Sequence, residues 1–326
     1  MNSATPGIER IFSWSSLDPK SRVVILVSIL LICSIPHSSG QETITGWNEA
    51  ESWTDHDLNA AVIHGERVWA FGDSGIVRFS ETPAYMANHT NLGDVDLISA
   101  DSYQNSIAVL SADGIIYMKE DLESDWITID SSQTGMKSIA LAGEDSLIIV
   151  GNAGLIWQYA DETWWNRTTS FAANLYDVDF NGAEDGLAVG GSGTILATDD
   201  GGSTWDYRES PDPDSTIVSV SYFNPYRMFA VSDSGQIIYS TSPGGFEWQL
   251  REIESAGYNT TLATNLSSID VVSSSRILFT GPDGYLGLSL DQGLNVERNI
   301  LPVGVNSSFN DHAMFDFVIG IVVGDS

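Results

Sequence analysis

Cysteine is almost missing from this chain of 326 residues. Cys33 stands alone, so no intrachain disulfide can form and no thiolate metal site can be assembled. Basic residues are scarce as well: 13 lysines and arginines face 44 acids, a formal net charge of −31 at pH 7. Such a surface repels phosphate backbones and anionic headgroups, which removes nucleic acid from the expected partners. The histidines beyond the first forty residues, His56, His64, His89 and His312, lack the spacing of metal ligands. Helical periodicity is missing after residue 40. What remains is a 42% hydrophobic chain, rich enough for a large core. Its apolar residues come in short runs between Gly, Asp, Ser and Asn, which is the pattern of strands.

Residues 1–40 read as an address. Val23 to Ile35 is nearly unbroken in apolar character, preceded by Lys20 and Arg22 and followed by Pro36-His37-Ser38-Ser39-Gly40. That is the layout of a secretory signal peptide. The run is shorter than the roughly twenty residues of a spanning helix, and an uncleaved signal anchor is the second reading. Cys33 follows Ile32 where a lipid-attachment signal carries a small residue, so lipidation is not expected. The expected division is a signal peptide or anchor over 1–40 and one body over 41–326. The body is expected to be exported, either extracellular or at the outer face of the cell membrane. Asn-x-Ser/Thr sequons at Asn88, Asn166, Asn259, Asn265 and Asn306 are candidate glycosylation sites there.

The body repeats. A second strand and its turn recur as RVWAFGDSG, SIAVLSADG, SLIIVGNAG, DGLAVGGSG, RMFAVSDSG and RILFTGPDG, closing at Gly75, Gly114, Gly154, Gly193, Gly235 and Gly284. A unit of about forty residues is that of a four-stranded propeller blade, and these glycines supply the positive φ of a tight hairpin. The chain ends on the first half of another unit, Phe315 to Ser326, while residues 39–53 resemble a second half. The expected fold is therefore an all-β, seven-bladed β-propeller, its last blade closed by strands from both termini.

One unit carries a sharper motif. Thr198-Asp199-Asp200-Gly201-Gly202-Ser203-Thr204-Trp205 fits the Asp-box pattern S/T-x-D-x-G-x-T-W, with structural positions Thr198, Asp200, Gly202, Thr204 and Trp205. A degenerate copy follows at 240–248. Together with Gly193-Thr194-Ile195-Leu196-Ala197, the box resembles the repeat of the photosystem II stability/assembly factor family of Asp-box (BNR-like) propellers. The resemblance spans roughly 41–326 as a repeat pattern and is close over 187–205. It implies a seven-bladed, non-catalytic propeller, with members that bind an assembling membrane protein through a basic patch. This acidic chain departs from that patch.

Chemistry is expected to be absent: no catalytic, cofactor-binding or metal site is assigned. Gly72-Asp73-Ser74-Gly75 looks like a protease nucleophile loop but occupies the hairpin position of the repeat. A sialidase-like glycoside hydrolase at the central depression is the alternative, needing an arginine cluster there. Acid pairs such as Asp177/Asp179 and Asp212/Asp214 read as solvated loop acids, with a hard cation as the sharper reading. Trp164 and Trp165 point to opposite sides of a strand, leaving one as a candidate binding aromatic. The function expected is a monomeric binding module for a protein or glycan on a propeller face, meeting a membrane only through an N-terminal anchor.

Overall fold

The second strand of each repeat is apolar through most of its middle, as a strand packed on both faces must be. In the computed structural model this packing comes from neighbouring blades. The structure describes residues 23–27, 48–50, 56–65, 67–80, 88–144, 146–251, 265–298, 308–314 and 319–325. Four-stranded antiparallel sheets surround a central channel. Blades 1 to 6 span 58–91, 97–130, 136–166, 175–208, 217–250 and 268–298, each made of four consecutive strands running from the channel outwards.

Six blades rather than seven are thus built from consecutive strands. A further sheet of mixed origin has the order Asn48–Ala50, Val23–Val27, Ile319–Gly324, Phe309–Met314. Its inner strand Phe309–Met314 lies against Leu58–His64 of blade 1. Of the half expected from 39–53, Asn48–Ala50 forms the outer strand, but the strand bonded to Ile319–Gly324 is Val23–Val27, with Val24 opposite Val322 and Val27 opposite Ile319. A β-branched apolar run suits that position better than the polar 39–53 stretch. The rest of 1–47, including Cys33 and most of the expected signal, lies outside the described residues. No helix among the described residues is long and apolar enough to cross a membrane.

The core lies between blades. Ile148 and Val150 of blade 3 meet Leu175, Val178, Leu196 and Trp205 of blade 4, and Trp248 of blade 5 packs back among blade 4 residues such as Leu187 and Ala197. In blade 4 the Asp box sets Trp205 in place, its indole donating to the Gly202 carbonyl (3.1 Å). The Asp200 carboxylate accepts from the Thr204 amide (2.8 Å) and hydroxyl (2.7 Å) and from the Thr198 hydroxyl (2.8 Å), while Thr198 Oγ1 accepts from the Gly202 amide. Blade 6 repeats this geometry at 289–296. Asp291 accepts from the Asn295 amide (2.8 Å), the Asn295 side chain (2.7 Å) and the Ser289 hydroxyl (2.9 Å). Val296 stands there where blade 4 has Trp205.

All six closing glycines of the repeat, Gly75 to Gly284, can be placed on their hairpins, and left-handed φ is recorded at each. Gly154 (φ +72) needs glycine twice over, because a Cβ would also lie 1.9 Å from the Phe171 carbonyl oxygen.

Candidate functional site

The first strand of each blade lines the channel, and in most it carries a bulge at one position. Register shifts fall at Leu58/Ala60, Leu97/Ser99, Met136/Ser138, Leu175/Asp177, Ile217/Ser219 and Phe309/Asp311. A bulge re-aims the side chain that follows it. Here the re-aimed residue and the one two further on turn towards the next blade, so Ser99/Asp101, Asp177/Asp179, Ser219/Ser221 and Ser268/Asp270 form two polar layers around a channel of about 370 Å³.

These layers stitch blade to blade. Asp311 accepts from the Ala61 amide (3.0 Å), Asp101 from Leu141 (2.7 Å), Asp177 from Val220 (2.9 Å) and Asp179 from Tyr222 (2.6 Å). Ser99, Ser219 and Ser221 accept the amides of Ile139, Ile269 and Val271 in the same sense. Ser138 donates to Asp177 (2.9 Å) and Ser268 to Asp311 (3.1 Å). Blades 2, 4 and 5 and the mixed sheet thereby bind backbone of the next sheet, while blades 3 and 6 bond side chain to side chain, which rigidifies the ring.

Enclosure governs the acidity of this belt. Burial pushes Asp179 up to about 8 against the pull of the Tyr222 amide, helped by the charges of Asp101, Asp177 and Asp270. Burial likewise raises Asp311 to about 7, Asp101 and Asp270 to about 6, and Asp177. Burial holds His312 down at about 3; its Nε2 has no partner and its Nδ1 lies 3.4 Å from the Thr280 hydroxyl. The belt is thus a proton-holding structural element. Reading Asp177/Asp179 as solvated loop acids is corrected: they sit on the inner strand. No group of three His, Cys, Asp or Glu residues among the described residues is placed to hold a metal ion. Lys137 is the sole basic residue among the described channel-lining residues besides the neutral His312. The arginine cluster of a sialidase-like site is therefore not in the channel.

Arginine appears elsewhere, on the outer strands of blades 3 to 5. Arg167, Arg208 and Arg251 occupy one register, each facing the first residue of its blade's third strand: Ile156, Ile195 and Ile237. Each guanidinium covers an aromatic ring, Arg167 on Trp165 (5.5 Å), Arg208 on Phe246 (4.4 Å) and Arg251 on Tyr239 (3.7 Å). Phe171 and Tyr207 stack nearby at 4.7 Å, 38% and 43% exposed. The three arginines are half-buried and partly engaged within the protein: Arg167 donates to Gln158 (2.9 Å), and Arg208 donates to the Gly244 carbonyl (3.3 Å) and lies 3.7 Å from Asp206. Exposed aromatics beside arginine are what protein interfaces enrich.

The residues singled out in the sequence scatter around this frame. Trp165 is 48% exposed, whereas Trp164 packs on Tyr159 and donates to the Asp130 carbonyl (3.0 Å). Ser74 sits in its hairpin, its amide bonded to Asp96 (3.0 Å). Asp212 accepts from the hydroxyls of Ser215, Ser232 and Ser234, a turn brace. Asn166 and Asn265 are exposed and Asn88 lies in a strand, while Asn259 and Asn306 fall outside the described residues. Asp101, Asp270 and Asp311 were missed by sequence reasoning, although polar-x-polar pairs at one offset of the repeat carried the signal.

The family model described as Photosynthesis system II assembly factor YCF48 matches residues 156–256. Over these residues the chain is similar to the photosystem II assembly factor β-propellers. Photosystem II assembly lipoprotein Ycf48 of Picosynechococcus sp. is 24% identical over 229 residues, 66% of this chain and 62% of that protein. The match therefore spans less than two thirds of that relative's length. Among solved structures, YCF48 bound to D1 peptide shares 16% identity at a TM-score of 0.64, over 83% of this chain and 91% of that one. YCF48 from Cyanidioschyzon merolae shares 12% at 0.63, over 86% and 99%. The WD40 propeller domain of Doa1 shares 14% at 0.64, over 83% and 90%, so structural likeness fixes only the fold. These relatives overturn the expected extracellular or outer cell-surface location: the curated one is named a lipoprotein of photosystem II assembly, which directs the comparison to a photosynthetic membrane. For the assembly factor-like propeller, the sialidase alternative is not favoured.

Proposed function

We propose that this assembly factor-like propeller is a non-catalytic, monomeric scaffold that holds a polypeptide segment of a membrane protein during its assembly. In this reading the mixed sheet serves as a seventh blade, closed non-covalently by strands from both ends of the chain. The observation that carries it is a coincidence of place. The family match, 156–256, runs from the third strand of blade 3 through blade 5, the stretch that holds Arg167, Arg208 and Arg251 on aromatic rings. Guanidinium groups held on aromatic rings are pre-oriented for carboxylates and carbonyls of an extended peptide. A relative captured with a D1 peptide supports a peptide as the partner class.

The test uses the full chain and a fluorescent D1 peptide, read by anisotropy. Binding is expected, with at least a tenfold loss in the variant carrying R167A, R208A and R251A, and solubilised photosynthetic membranes should yield a photosystem II protein in a pull-down. Equal binding by the variant, or no capture by the wild type, refutes the reading.

A further inference from the structure

Among the loops between third and fourth strands that the structure describes, one differs. The others span 119–126 in blade 2, 198–205 in blade 4, 240–248 in blade 5 and 289–296 in blade 6, and each packs against the preceding blade. Trp126 meets Trp69 and Phe71 of blade 1 edge-on (6.0 and 6.3 Å), and a Cβ on Gly202 would touch Ile148 of blade 3. Blade 3 has no such loop: Ala160 pairs with Thr163, leaving Asp161 and Glu162 alone to make the turn.

The space that a box loop fills elsewhere is therefore open between blades 2 and 3, as a groove of about 870 Å³. Its apolar floor comes from both blades and includes Met118, Leu147 and Tyr159, with Ile127 44% exposed at its side. Its mouth carries the exposed carboxylates of Glu120, Glu144, Asp161 and Glu162, and no lysine or arginine is among the described lining residues. Inside it the Ser146 hydroxyl is shielded from solvent with no hydrogen-bond partner. The turn is strained, since Asp161 (φ +51) and Glu162 (φ +57) both take the left-handed conformation that favours Asn-Gly. Strain kept at a site with acids aimed into it is the mark of a position selected for more than stability.

We propose that this groove docks a basic, amphipathic segment of a partner protein, whose large apolar side chain takes the place of the absent box loop while flanking lysines or arginines meet the four carboxylates. The occupant follows from complementarity: apolar depth and a rim of one sign. The site is opposite in charge to the arginine row and independent of it.

The probe is a pair of labelled synthetic peptides, Ac-GKRLWLRKG-NH2 and its serine-for-tryptophan counterpart, titrated against the full chain with a photo-crosslinker on the peptide. The tryptophan peptide is expected to bind at least tenfold tighter than the serine one, weaken with salt, and crosslink to residues of 118–129 and 144–162. Glu144→Lys with Glu162→Lys, both exposed and so tolerated by the fold, should lower affinity at least tenfold. Glu162→Gly should raise the urea midpoint while weakening binding, a split that a merely structural turn would not show. R167A/R208A/R251A should leave this binding unchanged, which separates its failure from that of the D1-peptide reading. Equal affinity of the two peptides, crosslinks spread over the acidic surface, or indifference to the Glu144 and Glu162 changes overturns the proposal.

Discussion

Replacing Asp179 by Asn should make the protein more stable at neutral and alkaline pH and flatten its pH dependence. Asp179 accepts the Tyr222 amide across the blade 4–blade 5 junction at 2.6 Å, and an asparagine carbonyl can accept the same bond. What the substitution removes is a charge that the ring disfavours. Burial raises the folded carboxyl to about 8, with Asp101, Asp177 and Asp270 adding repulsion, whereas an unfolded Asp titrates near ~3.9. Between these values folding takes up a proton, so stability is full in acid and falls as pH rises through the folded value. A tenfold change in proton affinity is worth about 1.4 kcal/mol, which makes the swing from pH 5 to pH 8 about 4 kcal/mol for this group at most. Asp179 is only partly screened from the channel's own solvent, which draws the figure towards about 2 kcal/mol. Urea unfolding followed by tryptophan fluorescence at pH 5, 6, 7 and 8 reads both numbers. The wild type should lose stability as pH rises, all the more because Asp101, Asp270 and Asp311 shift in the same direction. Asp179→Asn should lose less and surpass the wild type at pH 8. A variant weaker than wild type at pH 8 with an unchanged slope would refute the reasoning, for it would mean that the ionised carboxylate is what the ring requires.

Two other substitutions probe the frame. Gly154→Ala combines a left-handed backbone with a Cβ placed 1.9 Å from the Phe171 carbonyl, so a loss above about 3 kcal/mol is expected; Gly182→Ala, also left-handed but with open space, should cost only about 1–2 kcal/mol in the same thermal melts. Asp291→Ala should cost about 2–4 kcal/mol by removing the brace of the blade 6 box. Burial raises the Asp291 carboxyl, but bonds from Asn295 and Ser289 outweigh it and leave it below the usual range. Its contribution is therefore present above the unfolded carboxylate value and lost as pH falls, so the gap between variant and wild type should close in acid.

Legibility followed from how local each constraint is. The closing glycines could be read because a tight turn needs positive φ within a few residues. The blade 4 box could be read because Asp200, Thr204 and Trp205 are all present. The blade 6 box was hidden by substitution within a preserved geometry, Asn295 donating through its amide where Thr204 uses a hydroxyl. The channel acids were misread for another reason. An Asp two residues from another looks alike on a solvated loop and on an inner strand, and the bulge that turns Asp177 towards blade 5 leaves no residue-level mark. The groove was legible as an absence, since only Ala160 to Thr163 separate Tyr159 from Trp164, but its meaning depends on the preceding blade lying alongside.

The acidity of the chain has to be divided to be understood. The formal charge of −31 counts every carboxyl as ionised. Asp179 at about 8 is mostly protonated at pH 7 and Asp311 at about 7 is half protonated, so the belt acts as an internal hydrogen-bonding ring more than as surface charge. Removing those groups from the count does not reverse the sign, yet it moves the remaining negative field outward to turns such as Asp161-Glu162. The few cations are not spread against that field, because Arg167, Arg208 and Arg251 recur at one register on adjoining blades. A chain that is acidic on average thus carries three half-buried arginines at one register on blades 3 to 5, Arg208 beside Asp206 (3.7 Å), and an acidic groove between blades 2 and 3. Added salt should weaken attraction at both places, whereas reversing the groove's charge should affect only segments that carry lysine or arginine. A uniform acidic coat, kept for solubility alone, predicts no such difference between the two surfaces.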